Sequence, residues 1–162
     1  MKLTTKGRYA VMAMVDLAQH ENAGPVTTAE IAARQDISLS YLEQLFAKLR
    51  RGGLVKSVRG PGGGYVLSHP AGETRISDVI LAVDEPIKAT RCEEGSPQGC
   101  IPGRGRCLSH DLWEELGRQI YLYLSAVTLG DVLEKRILGT SHLYPPLGAF
   151  LMPEDRAVRA GE

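Results

Sequence analysis

No apolar stretch in this chain approaches the roughly 20 residues that span a bilayer. Its opening segment, MKLTTKGRYAVMAMVDLAQHE, does not read as a signal peptide: Asp16 breaks the apolar run and no small-residue cleavage site follows. The expected location is the cytoplasm. Net charge is missing too, since 19 lysines and arginines balance 19 aspartates and glutamates. Taken whole, that balance argues against nucleic-acid binding. Cysteine is scarce, three in 162 residues, and an odd number in a reducing compartment argues against a disulfide framework. The glycine run at 62–64 is followed by no Gly-Lys-Ser/Thr and leads to a strand pattern, which excludes a nucleotide-binding loop. No Ser–His–acid grouping and no paired carboxylates stand out, so the chain is not expected to be an enzyme. There is no internal repeat.

What is present is unevenly placed. Residues 1–64 hold nine basic and five acidic side chains, net +4, whereas residues 65–162 hold ten and fourteen, net −4. Phosphate contacts need local rather than global positive charge, and a dimer would double it on one face. Apolar residues at 43% and charged residues at 23% are ordinary for a globular chain. The length suits one DNA-binding-sized domain plus an extension.

Thr5 opens a helical pattern in which Ala10, Val11, Met14, Val15, Leu17 and Ala18 recur, and Gly24-Pro25 ends it. Thr28 precedes a short helix carrying Glu30, Ile31, Ala32 and Ala33, broken at Asp36-Ile37. Ser38–Arg51 follows, with Leu42, Leu45, Phe46 and Leu49 as one apolar stripe. Two short helices about a tight break form a helix-turn-helix. Leu54–Val58 then alternates like a strand, Arg59–Gly64 turns, and Tyr65–Leu67 returns. The predicted fold is mainly α with a small β-hairpin wing, a winged helix-turn-helix. Ser77–Glu85 reads as a further helix and Thr90–Cys107 as a loop. Ser109 starts the longest helix, with Trp113, Leu116, Ile120, Leu124 and Val127 along one stripe. Thr128-x-x-Asp131 resembles a capping box restarting a helix into Val132, Leu133 and Ile137. Beyond Gly139 the period stops, and a flexible tail is expected.

If Leu42, Leu45, Phe46 and Leu49 point inward, the opposite face carries Ser40, Tyr41, Gln44 and Lys48. Recognition helices insert their N-terminal residues into the major groove. Serine and glutamine read base edges, tyrosine reaches a phosphate or a thymine methyl, and lysine neutralises a phosphate. On an isolated helix these residues would more simply be a solvated face; the wing that follows favours DNA. Glu43 has two readings. It completes a capping box with Ser40, or its carboxylate accepts from a cytosine amino group and repels the wrong sequence. Arg59, beside Gly60 at the wing turn, suits a narrow minor groove or is an exposed loop arginine.

All three cysteines lie within sixteen residues, and with one histidine they form C-x7-C-x6-C-x2-H: Cys92, Cys100, Cys107 and His110. His20, His69 and His142 have no cysteine neighbours. Cys107 and His110 fall at the start of the long helix, where the positive end of the helix dipole favours thiolates. Three cysteines and a histidine suit zinc, but structural zinc sites commonly use two close pairs and here only one pair is close. The long gaps suit a [2Fe–2S] cluster, whose ligands spread over two irons. Spacing alone leaves cluster, zinc and no metal open, and His110 alone reads equally as a polar residue at a helix start.

The segments LTTKGRYAVMAMVDLA, ISLSYLEQLFAKLRRGGLVKSVRGPGGGY, ISDVILAVDE and TRC…C…CLSHDLW, spread over residues 1–138, closely resemble the IscR family of winged-helix iron–sulfur regulators. The resemblance implies a homodimer built on the long helix. It implies a [2Fe–2S] cluster on Cys92, Cys100, Cys107 and His110, supplied by the cluster-assembly machinery, and a palindromic DNA operator. It maps DNA-reading roles onto Ser38, Ser40, Tyr41, Glu43, Gln44, Arg59 and Gly60. Loaded members repress their own cluster-assembly operon, and the cluster-free form binds a second class of site. The better-known members space their cysteines more closely than the seven and six intervening residues here. The expected organisation is a DNA-binding domain at 1–68, a connecting helix region at 69–89, a cluster-binding loop at 90–110, dimerisation helices at 109–138 and a tail at 139–162.

Overall fold

A computed structural model of the chain describes residues 4–89, 100 and 105–137. The expected tail at 139–162 and most of the loop at 90–104 therefore lie outside the described residues. Helix α1 spans Thr5–His20, capped by the Thr4 hydroxyl, which accepts from the Lys6 N–H. Ala10, Ala13, Met14 and Leu17 are completely buried, and the helix packs against several of the helices that follow it in the chain. Helix α2 (Thr28–Gln35) begins with a capping box: the Thr27 hydroxyl accepts from the Glu30 N–H, and the Glu30 carboxylate accepts from the Thr27 N–H at 2.8 Å. Asp36, in left-handed backbone at φ 53°, turns the chain. Helix α3 follows at Leu39–Arg51 and buries the predicted stripe of Leu42, Leu45, Phe46 and Leu49. The helix-turn-helix read from the periodicity is present.

Strands β1 (Val55–Val58) and β2 (Gly64–Leu67) pair antiparallel, with Val55 opposite Leu67 and Val58 opposite Gly64. The turn between them uses Gly60 at φ 107° and Gly62 at φ 73°, backbone that side chains with a Cβ rarely adopt. The wing is fixed to the helix-turn-helix at its base. Val26, just before α2, exchanges two backbone hydrogen bonds with Tyr65, at 2.9 and 2.7 Å. The Tyr65 ring packs on Phe46 with centroids 4.7 Å apart.

Helix α4 spans Ile76–Ala82, shorter than the predicted 77–85, because Asp84 enters left-handed backbone at φ 56° and ends it. Helix α5 is His110–Ala126 and α6 is Leu129–Leu133. The capping box expected at Thr128 and Asp131 is present. Helix α6 stops well short of the predicted Ile137, since Lys135 turns left-handed at φ 57°. One core gathers residues from α1 to α6: Leu129 and Val79 are as buried as Phe46.

One ion pair locks α1 to the helix-turn-helix. Asp16 is 2% exposed, and its carboxylate accepts from Arg34 Nε and Nη2 and from Gln35 Nε2, the shortest contact being 2.6 Å. Burial works against the carboxylate charge, but the Arg34 and Gln35 hydrogen bonds and the Arg34 charge outweigh it and hold this carboxyl below its ordinary range. A folded-state value below the unfolded one means stabilisation that is complete above the ordinary carboxylate range and is lost as pH falls through the folded value. Asp16→Asn should therefore cost about 2 kcal/mol at neutral pH, because Arg34 keeps only an amide partner. Urea unfolding of both proteins at neutral pH and at about pH 3 checks this, and the gap should narrow in acid.

Candidate DNA-reading face and metal centre

The outward face of α3 presents most of the predicted reading residues together. Ser38, Ser40, Glu43 and Gln44 are exposed, and Tyr41 is half-buried. Tyr41 stands edge-on to Tyr9 of α1, rings 6.1 Å apart, which holds it on the face. Arg59 and Gly60 are exposed at the wing tip, on the hairpin that follows α3.

Two details differ from the sequence reading. The α3 N-cap is Ser38, not Ser40, and neither hydroxyl caps the helix; the two lie 3.0 Å from each other instead. Ser40 is already inside the helix, so the Ser40–Glu43 capping box does not form and Glu43 has no part in the helix start. Lys48 differs as well. Its ammonium pairs with the exposed Asp84 carboxylate at 2.8 Å. That partner lies 36 residues on in the chain, and nothing in the local pattern of α3 announces it.

At the start of α5, two of the four predicted ligands meet. Cys100 Sγ lies 2.9 Å from His110 Nδ1. The Cys100 N–H donates to the Gly105 carbonyl, and the His110 N–H donates to the Cys107 carbonyl, both at 3.0 Å. Cys107 is thus held one tight turn before the histidine, its Sγ 3.8 Å from the Ser109 hydroxyl. His110 is the first residue of α5 and only 7% exposed. Cys92 lies outside the described residues. Sulfur and imidazole donors converging at a helix start are chemically suited to iron–sulfur ligation, and equally to zinc.

Sequence reasoning missed the acidic residues next to this centre. His110 Nε2 faces Glu114 Oε2 at 3.8 Å, and His110, Asp111 and Glu114 bring one ligand-type atom each within 4.8 Å of one another. The i, i+4 spacing of His110 and Glu114 on one helix was the available signal. A carboxylate on that side leaves Nδ1 as the nitrogen that faces the thiol.

A helix-turn-helix whose recognition helix runs into a hairpin wing defines the winged-helix DNA-binding regulators. The chain belongs to the Rrf2 family, whose model, described as an iron-dependent transcriptional regulator, matches residues 3–135. It is 52% identical over 136 residues to the HTH-type transcriptional regulator IscR of Xenorhabdus nematophila, covering 84% of this chain and 81% of that one. The IscR of Photorhabdus laumondii is 53% identical over the same length. Among solved structures, T. potens IscR matches with a TM-score of 0.66 and 34% identity, over 94% of this chain and 97% of that one. CymR, titled the global cysteine regulator of B. subtilis, matches with a TM-score of 0.69 and 32% identity, over 83% and 98%. The protein is an IscR-type DNA-binding transcription regulator and not an enzyme. Among the described residues no helix is long and apolar enough to cross a membrane.

Proposed function

We propose that the protein is a cytoplasmic homodimeric regulator whose choice of DNA site is set by a [2Fe–2S] cluster on Cys92, Cys100, Cys107 and His110. Loaded, it represses genes for iron–sulfur cluster assembly, the cluster being delivered by that same machinery. The supporting observation is the meeting of Cys100 Sγ and His110 Nδ1 at the first turn of α5. Such a cluster, when bound, supplies a labile centre whose presence reports iron and sulfide supply. The chain's own part is mechanical. His110 opens α5, so whatever the donors hold also fixes the start of that helix.

Dimerisation through α5 accounts for its surface. Leu112, Leu116 and Tyr123 lie on one side of the helix, 63%, 38% and 53% exposed, and Trp113 beside them is 44% exposed. A second copy covering this face places two recognition helices for a palindrome, with half-sites about 34–36 Å apart or multiples of that spacing. In this reading Ser38, Ser40, Tyr41, Glu43 and Gln44 enter the major groove, and Arg59 with Gly60 enters the adjacent minor groove. Residues 1–68 form the reading unit, 69–89 connect it, and 90–110 with 109–138 supply the ligands and the dimer helices.

Anaerobic purification with visible absorption, iron and acid-labile sulfide analysis tests the cofactor. Brown protein with iron and sulfide is expected; colourless protein with stoichiometric zinc overturns the cluster. Gel shifts on a palindromic duplex over a salt series test the DNA reading, and binding must weaken steeply as salt rises.

A further inference from the structure

Several contacts converge where α4 gives way to the segment leading to Cys92. Gly52 caps α3 so close to α4 that a Cβ there would lie 2.9 Å from the Ala82 Cβ. Two residues on, Asp84 holds Lys48 of α3 through its carboxylate at 2.8 Å and Lys6 of α1 through its carbonyl at 2.9 Å. Glu85 is buried, and its two oxygens accept from the Thr4 N–H, the Thr4 hydroxyl and the Gly7 N–H at 2.5, 2.6 and 2.6 Å. It thus supplies the negative charge that α1 lacks in its own first turn. At the far end of the same stretch, a Cβ on Gly117 of α5 would lie 3.0 Å from the Ala89 nitrogen. Residues 84–89 are therefore gripped by α1 and α3 at one end and by α5 at the other, and Cys92 follows three residues later.

We propose that Asp84–Ala89 is a strut that carries the state of the ligand loop to the recognition helix, with Asp84 a positioning residue that acts on α3 through Lys48. The proposal rests on the reading above, that what the loop holds sets DNA-site choice. A displacement of α5 pushes on Ala89, and a stretch this short has little slack. Glu85 cannot slide without breaking three hydrogen bonds and stranding a buried carboxylate. The push therefore turns the end that carries Asp84, and Lys48 moves with it. The Lys48–Asp84 pair is solvent-facing, so it adds little to stability and its removal leaves the fold intact.

The test uses the full chain and one palindromic duplex selected from random sequence by the loaded wild type. Affinity is measured loaded and after anaerobic stripping with a chelator, for the wild type, Asp84→Asn, Lys48→Gln and the double variant. Amide hydrogen exchange in the last turns of α3 is followed in parallel. The ratio of loaded to stripped affinity should shrink about threefold or more in Asp84→Asn and in Lys48→Gln, and no further in the double variant. Exchange in α3 should respond to stripping in the wild type and not in Asp84→Asn. A wild-type ratio retained in Asp84→Asn overturns the strut while leaving the cluster reading standing. A wild type that binds equally well loaded and stripped overturns both.

Discussion

Leu116→Glu is expected to make the protein monomeric and to weaken operator binding by about 100-fold or more. Leu116 lies on the wide apolar arc of α5, between the core-facing Gly117 and Leu124 and the outward Leu112 and Tyr123. In a two-fold interface each substitution occurs twice, so two carboxylates would be buried without partners. A monomer then holds one half-site and forfeits the effective concentration that makes the second contact nearly free. Because Leu116 is 38% exposed in the single chain, the subunit fold should survive the change. Sedimentation at micromolar concentration, circular dichroism and gel shifts check the three parts together. A variant that stays dimeric with wild-type DNA affinity removes α5 from the interface.

The second large effect concerns His110. Its side chain is buried, with Nδ1 toward Cys100 and Nε2 toward Glu114. His110→Ala removes the imidazole donor, and the anaerobically isolated protein should lose most of its iron, sulfide and visible absorption. His110→Cys keeps four donors and should keep the colour. Its reduction potential should fall by about 100 mV or more, because replacing imidazole with thiolate adds negative charge beside the irons. Iron and sulfide retained in full by His110→Ala would remove the histidine from the ligand set. Both substitutions lie outside the winged helix, so circular dichroism of the stripped proteins should match that of the stripped wild type, while His110→Ala should unfold at a somewhat lower temperature because a buried ring is removed.

The two predictions rest on features of different legibility. The stripe of α3 was readable because Leu42, Leu45, Phe46 and Leu49 follow the helical period, and the helix buries all four. The wing was readable because Gly60 and Gly62 mark a turn between two alternating segments, and both adopt positive φ. Helix ends were read less well. Ser40 and Glu43 have the right spacing for a capping box, as do Thr27 and Glu30, but only the latter pair stands where a helix begins. Spacing identifies a possible cap, whereas the tertiary path of the chain decides where the helix starts. The long reach of α4 and α6 failed for a related reason: Asp84 and Lys135 stop them through left-handed backbone that no glycine announces.

Composition, period and motif were enough to determine the winged helix, the order of its elements and the residue types able to ligate metal, because each depends on neighbours within about a turn of helix or a hairpin. The tertiary structure alone decided which groups meet: Lys48 with Asp84, Glu85 with the start of α1, Gly117 with Ala89, and Cys100 with His110 across the loop. The first two of those meetings follow from how α1, α3 and α4 pack together, and the other two from where α5 starts and runs, properties of the whole chain that no local window carries.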